Sequence, residues 1–256
     1  MKAEIIAVAN QKGGVGKSTT AEALAEGLSR RGHKTLLIDL DSQGNVTLTS
    51  AIEESSKPTV YDLLTGQANA QEVIQQRKNR VDIIPADGNL ARLDVELTAT
   101  GKEYKLKEAL KPLAAKYKYI VMDTPPALGI LTINALTAAN RLIIPAQADL
   151  YSLQGIGQLY ETIKAIKAYT NSDLSLKGIL LTRHNARSIL SRDMADTAKT
   201  TAKQIKTFLY NTVIRESVAL REAQASCQSI FEYAPKSNAA LDYNSFIDEF
   251  LKKKGN

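Results

Sequence analysis

Cysteine is nearly missing: Cys227 stands alone in 256 residues. A single thiol cannot close an internal bridge, which excludes a disulfide-stapled scaffold and suits the reducing cytosol. Histidine is scarce as well. His33 and His184 are the only two, little material for a zinc site or a Ser-His-Asp triad. Long apolar runs are also lacking. Ile5–Ala9 is too short for the core of a signal peptide and leads straight into a glycine loop. The longest uncharged stretch, Thr124–Asn140, opens with Pro125-Pro126 and carries Thr132, Asn134 and Thr137. It falls short of the roughly 20 apolar residues of a bilayer span and reads as a buried helix.

What remains is the composition of a globular chain, 44% apolar and 23% charged, which excludes a fibre or a disordered tail. The length admits one large domain or two small ones. A net charge of +6 permits a polyanionic partner without requiring one.

Apolar bursts alternate with helical patterns almost end to end. Strands are expected at Glu4–Asn10, Lys34–Asp41, Val81–Pro85, Tyr119–Asp123, Arg141–Pro145, Leu176–Thr182 and Thr207–Ile214. Several are continuous apolar runs, such as Leu36-Leu37-Ile38 and Ile120-Val121-Met122, as expected of strands covered on both faces. Between the first two, Ala21, Leu24, Ala25 and Leu28 recur at helical spacing, followed by Arg30, Arg31 and Gly32 as an ending. Strand-helix alternation predicts a mostly parallel, twisted α/β sheet flanked by helices on both faces. No linker or repeat interrupts it, so one domain over residues 1–256 is the expectation. Glu53–Lys57 and Thr65–Asn69 read as surface loops.

The strongest signal is Asn10-Gln11-Lys12-Gly13-Gly14-Val15-Gly16-Lys17-Ser18-Thr19, lying between a strand and a helix. That is the context of a phosphate loop, in which glycines aim successive N–H groups inward and the helix N-terminus adds positive potential. Lys17 suits the β- and γ-phosphates and the Ser18 hydroxyl suits Mg²⁺. Gln11 occupies the first glycine position, and Lys12 is a second lysine placed to project away from the loop. Two further strands end in carboxylates. Asp39 and Asp41 fall on one side of their strand, either beside the phosphates or as solvated loop residues. Ile120-Val121-Met122-Asp123 reads as a Walker B strand whose Asp123 holds Mg²⁺ directly or through water.

Lys12–Thr19, the run Asp39-x-Asp41-x-Gln43-Gly44-Asn45 and Asp123-Thr124-Pro125-Pro126 together resemble the deviant-Walker ATPases of the ParA/MinD family. Leu128–Leu136 and Pro235-Lys236-Ser237 extend the resemblance toward the short, Soj-like partition branch. It covers nearly the whole chain. The resemblance implies a P-loop fold, slow ATP hydrolysis and a dimer sandwiching two ATP molecules. Lys12 would cross to the partner's phosphates, and Asp41 would orient the attacking water. Asp39, Ser18 and Asp123 would organise Mg²⁺ and its water shell. Gly13, Gly14, Val15, Gly16 and Lys17 would cradle the phosphates, with Thr19 at the α-phosphate and Arg183 near the base. A ParB-like centromere-binding protein would stimulate hydrolysis. Since the chain starts at the first strand, no N-terminal helix-turn-helix extension is expected.

Residues 183–221 hold an excess of five positive charges, nearly all of the net charge. In the family this region gives dimer-dependent, sequence-independent DNA contacts, and phosphate neutralisation suits that role. Arg187, Arg192, Lys199, Lys203, Arg215 and Arg221 are the candidates, though an ordinary solvated helix face has the same composition. Relatives often have Pro-Arg-Asn-Val-Arg where this chain has Arg215-Glu216-Ser217-Val218-Ala219. A MinD-like membrane or cargo ATPase is the alternative. Tyr243, Phe246, Ile247, Phe250 and Leu251 form a stripe ahead of Lys252-Lys253-Lys254. Docking of that helix on the sheet, without stable membrane anchoring, is the expected arrangement. The expected location is the cytoplasm, at the nucleoid.

Overall fold

The computed structural model describes residues 3–50, 57–77, 80–185 and 189–253, the side chains of 189–193 excepted. Six strands are present among them: β1 (Glu4–Val8), β2 (Thr35–Asp39), β3 (Asp82–Ile84), β4 (Tyr119–Asp123), β5 (Arg141–Ala146) and β6 (Ser175–Leu181). They form one all-parallel sheet in the order β3-β2-β4-β1-β5-β6. The helices are α1 (Lys17–Arg30), α2 (Asn45–Thr49), α3 (Val60–Thr65), α4 (Leu93–Glu96), α5 (Lys105–Leu110) and α6 (Ile130–Ala138). They continue with α7 (Leu150–Tyr169), α8 (Ile189–Gln204), α9 (Val218–Ala225), α10 (Ile230–Tyr233) and α11 (Asn238–Lys252).

Strand alternation divides the core between two faces. Ile6, Val8, Leu37, Tyr119 and Val121 face one apolar cluster, with α1 and α11. Ala7, Leu36, Ile38, Ile120 and Met122 face the other, with α6 and α7. Both faces being covered, the strands read as continuous apolar runs. α6 is buried nearly all round, which answers the apolar Thr124–Asn140 stretch. Among the described residues no helix is long and apolar enough to cross a membrane.

α1 buries Ala21, Leu24, Ala25 and Leu28 as the spacing predicts. It ends where the N–H of Gly32, at φ 80°, donates to the Ser29 carbonyl at 2.8 Å. α11 docks along it. Ser237 caps α11 by accepting from the Ala240 N–H, and Tyr243, Phe246, Ile247 and Phe250 are buried. Each such apolar side chain contributes about 1.5–3 kcal/mol. The C-terminal stripe is therefore packed against the sheet, as expected.

One strand expectation fails. Thr207–Ile214 makes only one isolated bridge along the outer edge of β6, Ile179 with Leu209. The register of β6 against β5 shifts between Leu142 and Ile144, and beside that shift Gly178 sits at φ 105°. The Phe208 and Tyr210 rings pack over Gly178, so that a Cβ there would lie 2.7 Å from either ring. A regular ladder cannot form over such a bulge.

Gly178→Val is expected to destabilise the protein by about 2 kcal/mol or more, combining left-handed strain with ring overlap. A denaturation midpoint equal to that of the wild type would refute this account of the edge.

Candidate functional site

Register brings the site together. Val8 pairs with Asp123, and Asp39 pairs with Asp123, so the ends of three neighbouring strands coincide. Ligands in parallel sheets bind beyond such carboxyl ends. The loop from β1 to α1 curls over them. Asn10 anchors its start, donating to the Pro145 carbonyl at 2.7 Å and accepting from the Lys12 N–H at 3.1 Å. Gly14 and Gly16 take φ 74° and 80°, which glycine alone adopts freely. The Thr182 hydroxyl donates to the Val15 carbonyl at 2.8 Å, fixing the far side.

A cavity of about 750 Å³ opens above the loop. Gly13, Gly14, Gly16, Lys17, Ser18 and Asp41 line one end. Arg183, Arg215, Glu216 and Leu220 line the other. Lys17 is buried, and its ammonium donates to the Lys12 carbonyl at 2.9 Å. Burial pulls its pKa down, opposed by Asp123 and Asp41.

The three carboxylates are handled differently. Asp39 is fully buried, and its oxygens are occupied. Oδ1 accepts from the Asp41 N–H, while Oδ2 accepts from both the N–H and the hydroxyl of Thr47. Burial still holds its pKa above the carboxylate range. Asp41 accepts from the Gln43 N–H at 3.0 Å and faces the cavity. Asp123 is fully buried, and neither oxygen has a partner with hydrogen-bond geometry. Burial and then Asp39 push its pKa well up. A buried carboxylate with only the Ser18 hydroxyl close by fits a divalent cation, which would reverse that shift. Among the described residues no three His, Cys, Asp or Glu side chains gather into a metal cluster. Magnesium does not require one, because it keeps waters and takes phosphate oxygens.

Lys12 does not stand clear of its own chain. Its ammonium lies 2.7 Å from Asp149 Oδ2 and 3.4 Å from Gln147 Oε1. Burial alone would raise the Asp149 carboxyl, but the Lys12 ammonium and the Ser152 N–H hold it below its usual range. Asp149 also caps α7 through that Ser152 N–H. The sequence reading missed Asp149. Its signal was an Asp directly ahead of a helix, which names a cap but not its distant lysine. Thr47 was missed as well, as was Gln224, whose amide donates to the Thr19 hydroxyl at 3.1 Å.

The four basic candidates whose side chains are described do not form one surface. Arg187 lies outside the described residues, as does the side chain of Arg192. Lys199 and Lys203 are exposed on α8. Arg215 and Arg221 instead line the cavity. Arg215 pairs with Asp242 through two nitrogens, at 2.9 and 2.6 Å, and Arg183 pairs with Glu216 at 3.0 Å.

Known proteins share the sequence and the fold of this chain. A family model described as an AAA domain matches residues 3–176. The sporulation initiation inhibitor protein Soj of Bacillus subtilis is 40% identical, over 96% of this chain and 97% of its own. The chromosome partitioning protein ParA of Myxococcus xanthus is 36% identical, over 97% of this chain and 88% of its own. A crystal structure of cobyrinic acid a,c-diamide synthase from Mycobacterium smegmatis, with bound ADP and magnesium, superposes with a TM-score of 0.85. It shares 32% identity and covers 99% of this chain and 97% of that one.

Also lining the cavity, Glu22 of α1 is pushed up to about 7 by burial and by Glu26, against the pull of Arg77. Its charged form is disfavoured in the fold, so this group weakens stability as pH rises from the unfolded carboxylate value through 7. Glu22→Gln is therefore expected to raise the urea midpoint relative to wild type at pH 8 and to leave it nearly unchanged at pH 4, below the unfolded carboxylate value. An equal effect at both pH values would contradict the assignment.

Proposed function

This chain belongs to the ParA/Soj family of partitioning ATPases, and on that premise we propose that it is a magnesium-dependent DNA-segregation ATPase working as an ATP-bound sandwich dimer. The observation that carries the reading is the paired arrangement of the two loop lysines. Lys17 is folded inward beneath the loop, whereas Lys12 lies outside the cavity lining, held by one exchangeable ion pair.

In this reading the loop N–H groups from Gly13 to Thr19 receive the phosphates, with Lys17 moving off the Lys12 carbonyl onto them. Ser18 and Asp123 would hold magnesium, which when bound neutralises charge on the β- and γ-phosphates. Asp41 carries the carboxylate that accepts a hydrogen bond from the attacking water. Asp39, with both oxygens already engaged, shapes the turn rather than meeting the metal. The other end of the cavity, with Arg183 and Glu216, suits the base. Closure of the dimer exchanges Asp149 for the partner's phosphates as the counter-anion of Lys12. That ammonium then stabilises the transition-state charge from across the interface.

DNA contact is assigned to the exposed lysines of α8, Lys199 and Lys203, together with Arg187 and Arg192. Arg215 is committed to Asp242, and Arg221 belongs to the cavity. Two copies in one dimer double the phosphate contacts and gain avidity. A ParB-like centromere-binding partner would stimulate hydrolysis and release the dimer from the nucleoid. The membrane alternative is disfavoured because the stripe it needs, Tyr243 to Phe250, is buried under α1.

DNA retention measured with MgATP, with ADP and without nucleotide is expected to occur only with ATP and to fall as salt rises. Equal retention in all three would remove the nucleotide switch. Lys17→Ala is expected to abolish nucleotide binding. Asp41→Ala should accumulate as an ATP-bound dimer in gel filtration, and Lys12→Ala should bind ATP without hydrolysing it. Full turnover by the Asp41 variant would contradict its role.

A further inference from the structure

We infer that Thr47 is a positioning residue for Asp41, acting as a strut between the buried carboxylate of Asp39 and the backbone just beyond β3; the inference rests on the ATPase reading of this site. One hydroxyl does two things. Thr47 Oγ1 donates to Asp39 Oδ2 at 2.8 Å and accepts from the Ala86 N–H at 2.9 Å. The Thr47 N–H donates to the same Oδ2, also at 2.8 Å.

The segment between these anchors carries Asp41. The Asp41 N–H donates to the other oxygen of Asp39, and the Gly44 N–H donates to the Asp41 carbonyl. Gly44, at φ 61°, then opens α2. Asp41 is thus tied at its front to Asp39 and at its back to a short helix that Thr47 hydrogen-bonds to the segment just after β3. Five residues cannot hold a helix without tertiary help. Ala86 is itself fixed, since the preceding Pro85 carbonyl accepts from Val60 at the start of α3. Thr47 does not line the cavity, so its influence on chemistry passes through Asp41 and not through contact with nucleotide.

Valine has the shape of threonine but neither donates nor accepts. Thr47→Val would strand one donor at Ala86 and remove one from a buried carboxylate, whereas Thr47→Ser keeps both bonds. The test uses the full chain and two readouts. Single-turnover hydrolysis and nucleotide affinity are measured together, and amide hydrogen exchange is followed over Asp41–Ser50 and at Ala86. Thr47→Val is expected to slow hydrolysis about tenfold, with nucleotide Kd within about threefold and faster exchange at both places. Thr47→Ser is expected to restore rate and protection. Wild-type hydrolysis in Thr47→Val overturns the positioning role, as does a Thr47→Ser variant no better than valine. A wild-type chain that binds but never hydrolyses ATP, with exchange responding as expected, overturns the ATPase reading instead.

Discussion

Two carboxylates buried side by side at the ends of neighbouring strands set the terms for the rest of the molecule. Asp39 and Asp123 occupy paired positions in β2 and β4, each without solvent exposure. Burying even one charge is unfavourable unless donors or a cation meet it. The fold resolves the pair asymmetrically. Asp39 receives three donors from the turn that follows it, which makes it the keystone of that turn. Asp123 receives none with proper geometry, which leaves it suited to a cation. The phosphate loop lies over both because β1 sits between β4 and β5 in the sheet.

Electrostatics then connect the loop to its surroundings. Lys17 is buried near Asp123 and Asp41, and a triphosphate would add more negative charge than this one ammonium can balance. The loop's other lysine, Lys12, is bound to Asp149 and does not line the cavity. In the proposed dimer a second copy supplies the missing charge, and Asp149 holds Lys12 in place until then. An ammonium kept on a partly exposed carboxylate is only loosely retained, since pairs near the surface contribute about 0–1 kcal/mol. It can be surrendered to a phosphate without a large penalty.

Much of this was legible from the residues alone. β4 falls on Tyr119–Asp123 as its apolar run ending in Asp implies, and α1 buries the face that its spacing marks out. Glycines at defined offsets announced the loop because only glycine accepts its backbone angles. What escaped was long-range. Asp149 is 137 residues from Lys12, and Ala86 is 39 from Thr47. No local pattern encodes either meeting, because both follow from strand order. Thr207–Ile214 reads as a strand by composition, yet the bulge at Gly178 denies it a regular ladder. Arg215 was read as part of a basic surface, and a carboxylate 27 residues further along, Asp242, draws it to the cavity rim.

The central claim is that each pocket is completed by the other copy's Lys12. Mixing the two inactive variants Lys12→Ala and Asp41→Ala tests it most directly. In a mixed dimer, the Lys12→Ala protomer keeps its own Asp41 and receives an intact lysine from its partner. Hydrolysis should reappear at about a quarter of the wild-type rate under random pairing. A mixture as silent as either variant alone would contradict the account.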